Sequence, residues 1–164
     1  LDVGQIEYEL TNDVQLEDLL SFYRRQGHPT TEQTEKLSRM VDKSFCIVIA
    51  RDGDQVIGLA RGITDGIRGW LVECKLDPSY QGPAAVTRTD GRVEHDHLGI
   101  AREMAVRVIE ALREYGVSRI DVLAYGTEED FCEELGFKRT GGIVAMNMAP
   151  ADALTLQTEG ASTA

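Results

Sequence analysis

From Ile6 to Leu10 apolar and polar residues alternate at period two, the mark of a strand, and the spacing turns helical at Leu16, Leu19, Leu20 and Tyr23. Gly27 stops that first helix. A second is expected behind a capping box of Thr30 and Gln33, with Leu37, Met40 and Val41 as its apolar stripe. Phe45 to Arg51 reads as a strand, Asp52-Gly53 as a hairpin turn and Gln55 to Thr64 as the partner strand. Asp65-Gly66 repeats the punctuation, so Gly69 to Asp77 closes a three-stranded antiparallel meander. From Leu98 the pattern is helical again, over Ile100, Met104, Val108 and Leu112 with Ala101, Ala105 and Ile109 beside them, until Gly116 takes the left-handed position that ends a helix. Ile120, Val122 and Ala124 then alternate as a strand, Thr127 to Leu135 forms a short helix, and Phe137 to Met148 holds the last strands. Strand, long helix and strand imply a right-handed crossover, which sets the strand at Ile120 parallel to the one at Leu71. The expected architecture is α/β: a mixed, mostly antiparallel twisted sheet with flanking helices and one β-α-β crossover. The tail 150–164 is small, polar and aperiodic, and disorder is the expectation there.

The densest signal lies between the strand Leu71–Leu76 and the helix that opens Leu98-Gly99-Ile100-Ala101. The first N–H groups of a helix lack intrahelical partners and sit at the positive end of its dipole, so a glycine-rich entry to a helix is an anion cradle. Residues 83–97 are wedged into it. Val86-Thr87-Arg88-Thr89, then Asp90-Gly91, then Arg92-Val93-Glu94-His95 reads as a β-hairpin arm. Asp96 follows, and an aspartate N-cap there would take the helix's free donors and repel phosphate from the same place.

These residues carry a family likeness. Tyr80-Gln81-Gly82, continued across the wedge by Gly99-Ile100-Ala101, resembles the pyrophosphate-loop signature Gln/Arg-x-x-Gly-x-Gly/Ala of the GNAT superfamily of acetyl-CoA-dependent N-acyltransferases, split in its middle. Phe131-Cys132-Glu133-Glu134-Leu135-Gly136-Phe137 resembles that family's Phe-Tyr-Glu-x-Leu-Gly-Phe segment, and the run Gly58-Leu59-Ala60-Arg61-Gly62 is similar to its central strands. The likeness spans Ile6 to Met148 in the family's order. It implies a single acyltransferase-like domain over 1–149, with 83–97 as an inserted arm, that moves an acetyl or short acyl group from acetyl-CoA to a primary amine by direct attack.

By the same resemblance the backbone of Cys74 and Leu76 would meet the pantetheine and thioester, with Gln81, Gly82, Gly99, Ile100, Ala101 and Arg102 around the pyrophosphate. Glu73 falls where the family often holds a carboxylate facing the acceptor, and an attacking amine must lose a proton. Its alternation partner Lys75 leaves a same-face ion pair equally open. The family's thiolate-protonating tyrosine is Cys132 here, a shorter side chain, and Tyr125 stands where an asparagine is common; it is open to a proton-donor or a packing role. Trp70 and Tyr23 are open to an acceptor pocket or to the core. Three roles are open to the arm: covering the acceptor site, pairing with a second copy in a homodimer, or displacing the pyrophosphate. A catalytically silent binding or oligomerisation module of the same fold is the competing reading.

Composition narrows the partners. With 17 basic and 28 acidic residues the net charge is −11, which repels phosphate backbones and suits a cationic small-molecule or peptide amine; nucleic acid is not expected. An anionic CoA then needs local positive charge, for which Arg88, Arg92, Arg102 and Arg107 are the sources. Cys46, Cys74 and Cys132 show neither paired spacing nor a zinc pattern, and a reducing, cytoplasmic setting is expected. Glu94-His95-Asp96-His97 has ligand-type side chains but no nearby third histidine or cysteine pair, so no metal is expected. No apolar run is long enough for a membrane span.

Overall fold

The computed structural model describes residues 3–28, 34–82 and 90–156. Five strands form one sheet in chain order: β1 (Ile6–Leu10), β2 (Cys46–Asp52), β3 (Gln55–Thr64), β4 (Gly69–Leu76) and β5 (Ile120–Asp121). The first four are antiparallel and β5 runs parallel to β4, as a right-handed crossover through the long helix requires. Helices α1 (Leu16–Arg25) and α2 (Thr34–Lys43) precede β2, α3 (Ile100–Tyr115) fills the crossover and α4 (Glu129–Glu134) follows β5. The capping box expected at Thr30 and Gln33 lies outside the described residues.

Strand alternation sends β2 and β3 side chains to two separate cores. Ile47, Ile49, Val56 and Leu59 meet Leu19, Phe22, Tyr23, Leu37 and Val41 of α1 and α2, whereas Val48, Ala50, Ile57 and Ala60 meet Ile100, Met104, Val108 and Leu112 of α3. Two glycines of β3 let α3 approach. A Cβ on Gly58 would stand 2.6 Å from Met104 Cε, and one on Gly62 2.8 Å from Val108 Cγ1. A bulge between Arg61 and Gly62 leaves Val72 without an opposite residue, so Arg61 faces Glu73 and Gly62 faces Leu71.

The C-terminal third departs from the expected pattern. Of the strand read at Ile120, Val122 and Ala124, only Ile120–Asp121 is a strand, and the short helix read from Thr127 begins as a 3-10 turn, Gly126–Glu128. The last strands expected over Phe137 to Met148 are absent among the described residues. Beyond the Phe137 N–H bond to Cys132 O that closes α4, the next main-chain bond is Asp152 N–H to Ala149 O. Alternation marks which side chains share a face, but a strand also needs a ladder partner, and β5 is too short to offer one. Ile143 and Met146 are consequently 72 % and 90 % exposed.

The inserted arm is described only from Asp90. Its first limb lies outside the described residues, and its second is not a strand: one antiparallel bridge, Lys75 to Arg92, joins it to β4. Of the tail, Pro150–Asp152 forms a single 3-10 turn and residues 157–164 lie outside the described part.

Candidate active site

Strands β4 and β5 pair at Gly69–Ile120 and Trp70–Asp121 and then part. The cleft that opens, roughly 160 Å³, is lined by Glu73, Cys74 and Lys75 on one wall, by Val122, Ala124 and Tyr125 on the other, and by Phe131 and Cys132 of α4. Leu76 points its N–H away from β3. In an antiparallel ladder that direction repeats every second residue, so Cys74 presents its N–H to the cleft. A main-chain donor at a notch between parting parallel strands is the element that can polarise a carbonyl and stabilise charge developing on it.

On the α1–α2 face of the sheet Glu73 is held from two sides. The Tyr23 hydroxyl donates to its Oε1, and Arg61 Nη2 lies 3.5 Å from its Oε2. Its partner is therefore the cross-strand Arg61 and not Lys75, whose Nζ donates to Asp90 O at 2.9 Å. Burial and then the Glu73 charge push the Tyr23 hydroxyl far above its ordinary range, so it remains a neutral donor. Arg61 Nε is buried with no partner among the described residues.

Cys132 is buried on the cleft floor, and burial with the nearby Glu128 charge pushes its thiol up to about 11. The Cys74 thiol is raised as well, chiefly by burial. Tyr125 is half exposed, with the Arg92 guanidinium 3.3 Å above its ring. Arg92 in turn meets Asp90 Oδ2 at 2.9 Å, so this residue of the insertion bridges the mouth of the cleft.

The anion cradle at the start of α3 is formed and filled. Gly99 takes φ 75°, and the next donors, Ala101 N–H and Arg102 N–H, reach Asp96 Oδ1 and Oδ2 at 2.9 Å each. Two successive amides thus converge on one anion, which is what a diphosphate site requires, but the anion is the chain's own carboxylate. Three further positions expected to be cofactor contacts are occupied by the protein. Leu76 N–H donates to Gly91 O at 2.9 Å. Gln81 is 1 % exposed; its amide nitrogen donates to Leu76 O and Arg92 O, and its oxygen accepts from Glu94 N–H and His95 N–H. Gly82, with φ 111°, faces His97, whose Cβ would be 3.0 Å from any added Cβ. Signature residues of the loop therefore anchor the insertion. Tyr80 does the same for the turn after β4, donating to Asp52 Oδ2 at 2.6 Å.

No protein-family model matches the chain, and no curated relative does. Solved structures do. A GNAT-family acetyltransferase of Streptococcus pneumoniae TIGR4 is 24 % identical, with a TM-score of 0.62 over 88 % of this chain and 99 % of that one. An aminoglycoside acetyltransferase from an uncultured soil metagenomic sample, solved with sisomicin, is 12 % identical, with a TM-score of 0.67 over 89 % and 97 %. The aminoglycoside N-acetyltransferase AAC(6')-Iy, solved with CoA, is 16 % identical, with a TM-score of 0.64 over 87 % and 94 %. This chain has the fold of the GNAT acetyltransferases.

Within the GNAT fold, spacing alone could not show that Arg61 and Tyr23 converge on Glu73. The bulge sets the Arg61–Glu73 register, and no sequence pattern marks it. Gln26 was missed for a different reason. It ends α1 in a polar context, yet it is 1 % exposed and neither amide atom has a partner among the described residues. No group of three metal-type ligands exists among the described residues.

Proposed function

We propose that this GNAT protein is an N-acyltransferase that moves an acetyl or other short acyl group from CoA to a primary amine by direct attack, without a covalent enzyme intermediate. The observation that carries the reading is the parting of β4 and β5 beside Glu73, with the Cys74 N–H at the notch. When bound, acyl-CoA supplies an activated thioester carbonyl. Cys74 N–H is the donor for that oxygen, and one such donor is worth about 2.7 to 4 kcal/mol of barrier. Glu73, held by Tyr23 and Arg61, is the base that takes the amine proton. Ala101 and Arg102 N–H are the diphosphate donors once Asp96 swings away.

For the proton returned to sulfur, the structure favours Tyr125 over Cys132. Burial pushes the Cys132 thiol up to about 11, above the ordinary phenol value of about 10, and its short side chain lies buried on the cleft floor. Tyr125 borders the same cleft and is not buried.

Acyl transfer is tested by thiol release from acetyl-CoA against a panel of small and peptidyl amines, with Glu73→Gln as the control. Turnover that survives Glu73→Gln unchanged removes Glu73 from the reaction. The bond pair between Asp96 and the α3 amides favours a second reading, a domain that has given up acyl transfer and serves as a binding module. Absence of any CoA binding at millimolar concentration decides for the module.

A further inference from the structure

We infer that the return limb of the insertion, Gly91–Asp96, is an internal competitor seated in the acyl-CoA track, so that cosubstrate binds by expelling it. The inference rests on the acyltransferase reading. Two contacts at opposite ends of the limb carry it. At one end Gly91 O takes the Leu76 N–H, the main-chain donor two residues beyond the Cys74 notch. At the other, the Asp96 carboxylate takes the two amides that open α3. Between them Arg92 closes the cleft mouth over Tyr125. A chain that only needed to connect β4 to α3 had no reason to fill both groups of donors along one track.

The seat also shows what the limb does to the neighbouring face. Gly91 is pressed in so closely that an added Cβ would lie 3.3 Å from Lys75 Cβ and 3.4 Å from Gln26 Oε1. Beneath it the Gln26 amide is buried without a partner among the described residues. Asp90 O meets both His28 Nε2, at 3.2 Å, and Lys75 Nζ. The seated limb therefore covers polar groups beside Glu73 and leaves one of them unsatisfied, a cost that departure of the limb removes. Gln81 is the hinge pin: three of its side-chain bonds hold the limb's middle, at Arg92 O, Glu94 N–H and His95 N–H, and a fourth ties it to Leu76 O of β4, so the ends can release while the middle stays attached.

The Asp96→Ala and Asp96→Asn variants separate competition from capping. Asparagine keeps one of the two acceptor oxygens that meet Ala101 and Arg102 N–H but lacks the charge, and alanine keeps neither. Calorimetric titration with CoA and with pantetheine, which lacks the diphosphate, should show Asp96→Ala binding CoA about two- to thirtyfold more tightly than the parent, the range that follows from the worth of a cap, and Asp96→Asn also more tightly than the parent through the lost charge, with pantetheine unchanged. Amide exchange in the parent should quicken at Arg92 and His97, beside the two released ends, when CoA is added, and stay slow at Glu94 and His95 on Gln81. Equal or weaker CoA binding in both variants, or exchange at Arg92 and His97 that CoA leaves unmoved, overturns the competitor. Failure of the parent and both variants to bind CoA at all overturns the acyltransferase reading itself, and with it this inference.

Discussion

A carboxylate can serve as a base only if its oxygens are aimed, and at Glu73 the aim comes from a buried hydroxyl on α1 and a guanidinium on the adjacent strand. Glu73→Gln keeps the shape and the Tyr23 bond but has no basic oxygen. We expect it to fold normally and to lose about 10²- to 10⁴-fold in kcat, the ordinary worth of general base catalysis. The thiol of Cys132 makes a pH prediction whose sign is fixed. Its folded value of about 11 lies above its ordinary 9.0, so between those values the unfolded chain releases a proton that the folded chain retains. Stability from this group is intact below pH 9 and falls as pH rises toward 11. Two units correspond to about 3 kcal/mol at most. Chemical denaturation across pH 8 to 11 should show the fall, and Cys132→Ala should flatten it. A parent curve no steeper than the variant's would remove the buried thiol from the account.

The close packing of α3 on β3 sets the position of the anion cradle, because α3 carries Ala101 and Arg102 at its start. Gly62 has no room for a methyl group: Val108 Cγ1, 2.8 Å from the added atom, belongs to a β-branched side chain that cannot swing aside, and Cys46 Sγ is 3.2 Å away. We expect Gly62→Ala to cost about 1–3 kcal/mol by overpacking, read as a lowered denaturation midpoint with an unchanged slope. At this scale the sequence was readable where the pattern is local. Leu16 to Arg25, the meander from Cys46 to Leu76 and the helix Ile100 to Tyr115 follow from spacing and punctuation, and the structure has them. It was not readable where a partner decides. Phe137 to Met148 has the alternation of a strand and no ladder among the described residues, and Arg92 to His95 is held by a single bridge to β4 and by bonds to Gln81. For the same reason the partners of Gln81 and Leu76 are not legible: Gln81 matches a loop signature and Leu76 the strand before it, while the groups they bond belong to an insertion whose path no spacing rule specifies.

At the scale of the molecule, the acyltransferase reading requires a net charge of −11 to admit an anionic cosubstrate to a cradle that an aspartate already holds. Both facts weaken binding through electrostatics, and they differ in range. The general field of the acidic surface is screened over about 8 Å at physiological ionic strength, so raising salt relieves it. The Asp96 contact is direct, and salt reaches it far less. Affinity for acetyl-CoA should therefore improve modestly from low to moderate salt in the parent and in Asp96→Asn alike, with the gap between the two proteins persisting. Ligand linkage makes this measurable without turnover. At 100 times the dissociation constant, binding to the folded state alone adds about 2.7 kcal/mol, which for a chain of this length raises the melting temperature by roughly 5–11 °C. If the gap between parent and Asp96→Asn closes as salt rises, the obstacle is the overall field and not a side chain in the cradle. If it persists, the insertion sets the affinity, and the acidic surface is left the task that its sign suits, which is to draw a cationic amine toward Glu73.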